Sequence, residues 1–75
     1  MKDIRTVIEE NETTNEYGVK VINELVRFDK LYSSGKIAQG YTEFVWYKTV
    51  GDRRMIVCSF KTEKKIRETM EKFGF

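Results

Sequence analysis

The side chains that could do covalent or acid–base chemistry are few and scattered. Cys58 is the only thiol and the chain has no His, the side chain most often used for general acid–base work. A Cys nucleophile needs an activating base or a positive, partly open setting. Cys58 instead lies in the apolar run Met55-Ile56-Val57-Cys58-Ser59-Phe60, where a buried, inert thiol is expected. The carboxylates Glu9 and Glu10 stand beside no apolar pocket that would raise a pKa. With one Cys and no His, a structural zinc site lacks its usual ligands. The glycines Gly35 and Gly40 belong to no phosphate-binding fingerprint. The expectation is a non-enzyme with no cofactor and no bound metal.

What remains is a mixture of aromatic and basic residues. Tyr41, Phe44, Trp46, Tyr47 and Phe60 are interleaved with Lys48, Arg53, Arg54, Lys61, Lys64 and Lys65. Nucleic-acid surfaces use this mixture, because cations neutralise phosphates while rings stack on bases. The ordinary explanation is that the rings are core and the charges are solvated. Phe44, Trp46 and Phe60 share one strand parity with Ile56, which suits a core face, whereas Tyr41 and Tyr47 fall on the other parity. The net charge of +2 is unevenly spread. Residues 1–47 hold six Lys/Arg against eight Asp/Glu, a net of −2, and residues 48–75 hold eight against four, a net of +4. A basic contact surface would therefore lie on the second half.

The elements that must position these residues centre on Tyr41–Phe60. Two runs rich in β-branched and aromatic residues flank Gly51-Asp52-Arg53-Arg54, the pattern of a β-hairpin. Phe44-Val45-Trp46-Tyr47 and Met55-Ile56-Val57-Cys58 put large apolar groups on both faces, so both faces should be covered. Ile4, Val7 and Ile8 are spaced i, i+3, i+4 and predict a short helix over Lys2–Glu10, with a strand as its rival. Thr13 followed by Glu16 fits a capping box. A second helix is then predicted with the stripe Val21, Leu25, Phe28 and Tyr32, closed by Ser33-Ser34-Gly35 and packed on the hairpin. Thr62 as N-cap, Glu63, the stripe Ile66, Met70 and Phe73, Lys72 and Gly74 predict a third helix. The fold expected is α+β, in the order α-α-β-β-α: a small antiparallel hairpin sheet packed against helices, with residues 1–75 as one compact domain.

Strand, Gly-containing turn, strand and then Phe60-Lys61-Thr62 opening a Lys/Glu-rich helix is similar to the small arm-type DNA-binding domains of some phage and transposon integrases. The likeness spans residues 41–75, without a third strand and without the preceding long helix. It implies a sheet set in the DNA major groove with a helix behind it, and Lys48, Arg53 and Arg54 as DNA-facing residues.

Length weighs on the other side. A chain of 75 residues is near the size at which a single core barely suffices, and neither a disulfide nor a metal is on offer. The reading preferred is a small binding module, a phage-type or regulatory accessory protein that docks on a larger host protein through its aromatic-rich hairpin. Tyr41 and Tyr47 are the contact residues, with Arg53 and Arg54 at the rim, and self-association as a homodimer is a further form of the same reading. The alternative is a DNA-binding module using Lys48, Arg53, Arg54, Lys61, Lys64 and Lys65. A modest net charge favours the protein partner. With no apolar run of membrane-spanning length and no signal-peptide core after Met1-Lys2-Asp3, a cytoplasmic location is expected, the host cytoplasm for a viral chain.

Overall fold

The computed structural model describes Met1–Phe75. Four strands, β1 (Lys2–Thr14), β2 (Lys20–Leu31), β3 (Glu43–Val50) and β4 (Arg53–Phe60), are followed by one helix, α1 (Glu63–Phe73). The strands form one antiparallel sheet in chain order, β1-β2-β3-β4. The helices predicted before the hairpin are therefore strands, and the α-α-β-β-α order gives way to β-β-β-β-α. A spacing of four residues explains the misreading, because four is a multiple of the strand period as well as close to the helical one. Val21 and Leu25 share one face of β2, and Ile22 and Val26 share the other. The β-branched Val19, Val21, Ile22 and Val26 favour strand geometry. An interior strand apolar on both sides then outcompetes a helix apolar on one.

Turn chemistry supports this outcome. In place of a capping box at Thr13, Asn15 closes a turn: its Oδ1 accepts from the backbone N–H groups of Tyr17 at 2.9 Å and Val19 at 3.0 Å. Asn uses this device at tight turns. The Ser33-Ser34-Gly35 segment ends no helix; the Gly35 amide donates to the Tyr32 carbonyl at 2.9 Å within a turn. The β3–β4 hairpin forms where the sequence indicates, with Val50 opposite Arg53 and a two-residue loop, Gly51-Asp52. Gly51 has φ 64°, which the first position of such a loop requires.

The helix also starts and stops as its sequence predicts. Thr62 Oγ1 accepts from the Lys65 amide at 3.4 Å, and Gly74 is left-handed with its N–H bonded to the Met70 carbonyl. Ile66 and Met70 press on Leu25, Phe44 and Trp46, with Ile8, Cys58, Phe60 and Phe75 around them. Phe73, expected in the buried stripe, is exposed. Phe75 takes that role, its ring 5.8 Å from that of Trp46.

The opposite face of the sheet carries no helix. Val26 and Val45 face each other there across β2 and β3, yet Val26 is 0% and Val45 6% exposed. The rings of Phe28 and Tyr47 meet edge to face at 6.3 Å over this pair. This contact makes the second small core, built from side chains of the sheet alone. The molecule is thin, with extents of 48 × 24 × 15 Å and a radius of gyration of 14.2 Å. A compact domain of this length has a radius of about 11 Å. Its accessible surface is 5513 Å², where a monomer of this mass exposes about 4,800 Å².

Candidate functional site

Exposed apolar side chains occur along the whole chain, but only β4 carries three in a row. As the last strand of the sheet, it bonds to β3 on one side and leaves its other edge open. The register slips between Trp46 and Tyr47, with Trp46 opposite Cys58 and Tyr47 opposite Ile56, so Val57 is the extra residue of a β-bulge. The bulge resets the alternation. Cys58 and Phe60 stay on the helix side with Trp46 and Phe44, while Ile56 turns to the helix-free side opposite Tyr47. Ile56 thus does not join the core face its parity predicted. Met55, Ile56 and Val57 are 47%, 62% and 42% exposed, three consecutive apolar residues at a free strand edge. Edge strands of natural proteins are usually blunted by charge, Pro, a β-bulge or cover; β4 has a bulge and two arginines at one end, but its apolar centre is uncovered.

Charge lies at the two ends of this strip. Arg53 and Arg54 stand at the hairpin end, and Lys61, Lys64 and Lys65 follow at the helix end, all five exposed. Arg53, Lys61, Lys64 and Lys65 form no ion pair within the chain, whereas Arg54 approaches Glu24 at 3.8 Å and Arg5 approaches the same carboxylate at 3.5 Å. The Arg54 guanidinium also lies 4.0 Å from the centre of the Tyr47 ring. Tyr47 and Arg54 are therefore brought together, but each is already engaged. Arg53 and Lys48 lie on the helix side, opposite Val50 and Met55. Tyr41 is exposed at the far end of β3, with Lys30 Nζ 5.8 Å from its ring. Of the residues the integrase resemblance would turn to DNA, Arg54 alone is on the helix-free face.

Comparison with known protein families, curated proteins and solved structures gives no match.

Nothing in the geometry gathers catalytic groups. Cys58 is half-buried rather than buried, and its pKa is pushed up by desolvation, so the thiol stays protonated and weakly nucleophilic. Asp29 is the buried carboxylate. Thr42 Oγ1 donates to its Oδ1 at 2.7 Å and Arg27 Nε to its Oδ2 at 2.9 Å. The Thr42 bond, against the opposing cost of burial and aided by Arg27, holds its pKa below the usual value. Its part is to clamp the β2–β3 connector onto the sheet, beside buried Ala38. No group of three or more His, Cys, Asp or Glu side chains is placed to hold a metal ion. No helix is long and apolar enough to cross a membrane.

Met55, Ile56 and Val57 are absent from the sequence-derived contact set because an apolar run of this kind reads as the middle of a sheet. Strand order decides whether it is buried, and a sequence with two unrecognised strands leaves that order open.

Proposed function

We propose that the chain is a small non-catalytic binding module that docks on a protein partner through the β3–β4 hairpin, adding the free edge of β4 to a strand of that partner. One observation carries this reading: the three consecutive exposed apolar residues Met55, Ile56 and Val57 at an open strand edge. Strand addition supplies main-chain hydrogen bonds for affinity and uses alternate side chains for selectivity. The accessible surface adds support, since its excess over a compact monomer is about 700 Å², close to one partner's share of a standard interface. Arg53, exposed and without an ion pair, is available at the hairpin end of the β4 edge. Tyr47 supports the contact by packing under Arg54, and Tyr41 lies at the other end of β3.

The DNA reading draws less support from the placement of charge. Its cations fall into two groups separated by the apolar Met55–Val57 strip, and Arg54 is already paired with Glu24. A groove that follows a phosphate backbone needs a continuous basic track.

The test compares immobilised wild type with the Ile56→Lys/Val57→Lys variant, both positions being exposed. Proteins retained by wild type and lost by the variant, with a Tyr41→Ala control that retains them, are the expected result. An identical set on wild type and variant contradicts the reading. Labelled DNA titrated at low and high salt supplies the other arm: tight binding with a steep salt dependence would favour the nucleic-acid alternative.

A further inference from the structure

The sheet has two free edges, and their charges are opposite. β1, at the other side of the sheet, carries Asp3, Glu9, Glu10 and Glu12 against Lys2 and Arg5. β4 carries Arg53 and Arg54 with no carboxylate and runs on to Lys61. Each strand also has an apolar centre, Val7-Ile8 in β1 and Met55-Ile56-Val57 in β4. Val7 is 40% exposed and lies on the helix-free face with Ile56.

Resting on the strand-addition reading above, we propose that the occupant of the β4 edge is the β1 edge of a second copy of this chain. The direction of the strands makes the match specific. Continuing the antiparallel order β1-β2-β3-β4 with a second β1 sets β4 antiparallel to it. Arg53 and Arg54 then meet the Glu9–Glu12 end of the incoming strand, where the charge match is concentrated, the two apolar centres meet in the middle, and Lys61 reaches Asp3 at the other end, which also holds Lys2 and Arg5.

Of the symmetric alternatives, two β4 edges paired antiparallel set like against like, bringing Arg53 and Arg54 of each copy towards Lys61 of the other. Two β1 edges centred on Val7-Ile8 bring Asp3 to Glu12 but Arg5 to Glu10, so charge alone does not exclude them and the variants below separate the two cases. Like charges directly opposite on paired strands are destabilising.

The charges are available for this exchange. Glu10, Arg53 and Lys61 form no ion pair within the chain. Asp3 pairs with Lys30 at 3.7 Å and Glu12 with Lys20 at 3.1 Å, both pairs being solvent-exposed. Exposed pairs of this kind contribute little and are readily replaced. Joining an edge to a different edge is a heterologous contact, which repeats from copy to copy unless the sheets close on themselves.

Sedimentation of four samples tests the proposal: wild type, Arg53→Glu/Lys61→Glu, Asp3→Lys/Glu10→Lys, and an equimolar mixture of the two variants. All four positions are exposed, so neither variant removes a buried group. Wild type should associate between micromolar and near-millimolar concentration, more weakly as salt rises. Each variant alone should lose at least about tenfold in self-affinity, because it reverses charge on one edge while the complementary edge keeps its own. The mixture should recover it, since each variant supplies the edge that complements the other. Association by the β1 variant alone would show a β4–β4 contact, and undiminished association by the β4 variant alone a β1–β1 contact; either overturns the proposal. A wild type that stays monomeric throughout would overturn self-pairing, while the capture experiment still decides whether β4 binds another protein. Should a charge variant fail to keep the wild-type circular dichroism of Trp46, the single Ile56→Lys substitution serves in its place. It must weaken association, and no effect contradicts the proposal.

Discussion

The indole Nε1 of Trp46 donates to Asn23 Oδ1 at 2.9 Å, joining the central strands β2 and β3 inside the core beneath α1. Asn23 Nδ2 in turn donates to Asn11 Oδ1 of β1 at 3.3 Å. A buried Trp needs a partner for its N–H, and the short chain provides it from the neighbouring strand while tying three strands together. The Asn23→Leu variant leaves that N–H unpaired. It should cost about 1–3 kcal/mol in the urea midpoint analysis and alter the Trp46 fluorescence. An unchanged stability would mean the indole finds another acceptor.

Leu25 packs with Phe44, Trp46, Ile66 and Met70 and is fully buried. Leu25→Ala should destabilise by about 2–5 kcal/mol. Although the residue lies on a strand and not on the helix its spacing suggested, the expected penalty is the same, because burial and not secondary structure sets it.

Tyr47 gives a contrasting case on the helix-free face. Its ring shelters Val26 and Val45 together with Phe28, so Tyr47→Ala should lose about 1–3 kcal/mol of stability. A purely interfacial Tyr would leave stability unchanged, and thermal unfolding distinguishes the two.

Asp29 makes the stability of the connector depend on pH. Its carboxylate is favoured in the fold, first by the Thr42 hydroxyl and then by Arg27, against the cost of burial. A folded pKa lying below the unfolded one gives stabilisation that is present above about pH 4 and is lost as pH falls through the folded value. Thr42→Val should therefore destabilise at neutral pH, and the gap from wild type should close in acid. A gap independent of pH would remove Asp29 from this role.

The thiol of Cys58 should react with a maleimide far more slowly in the native protein than in urea. Its raised pKa limits the thiolate, and its packing against the core limits access. Equal rates in the two states would contradict both points.

How far the sequence could be read depended on which signals were local. The loop at Gly51-Asp52 and the Thr62 and Gly74 caps are decided by residues within a few positions of one another, and these parts were legible. Val21 and Leu25 were not, because a spacing of four satisfies two periods and only pairing with neighbouring strands selects one; Ile4 and Val7, three apart, mimic a helical stripe yet fall on opposite faces of β1. Two bulges, at Ile8 and Val57, further hid the alternation. The bulge at Val57 moved Ile56 off the face it shares by parity with Trp46, and the outer position of β4 turned an apparently buried run into an exposed strip. Tyr47, Arg53 and Arg54 all lie in the hairpin strands. Their separation onto two faces follows from register, which composition does not carry.

Backbone hydrogen exchange of Arg53–Phe60 tests most directly whether β4 pairs with the β1 edge of a second copy. Strand addition closes main-chain N–H groups that the free edge leaves open. From micromolar to near-millimolar concentration, the outward-facing amides of β4 and of Lys2–Thr14 should both slow, and the Arg53→Glu/Lys61→Glu variant should abolish the change. Exchange in β4 that is the same at both concentrations, with or without protection elsewhere in the chain, would contradict pairing of β4 with a second copy.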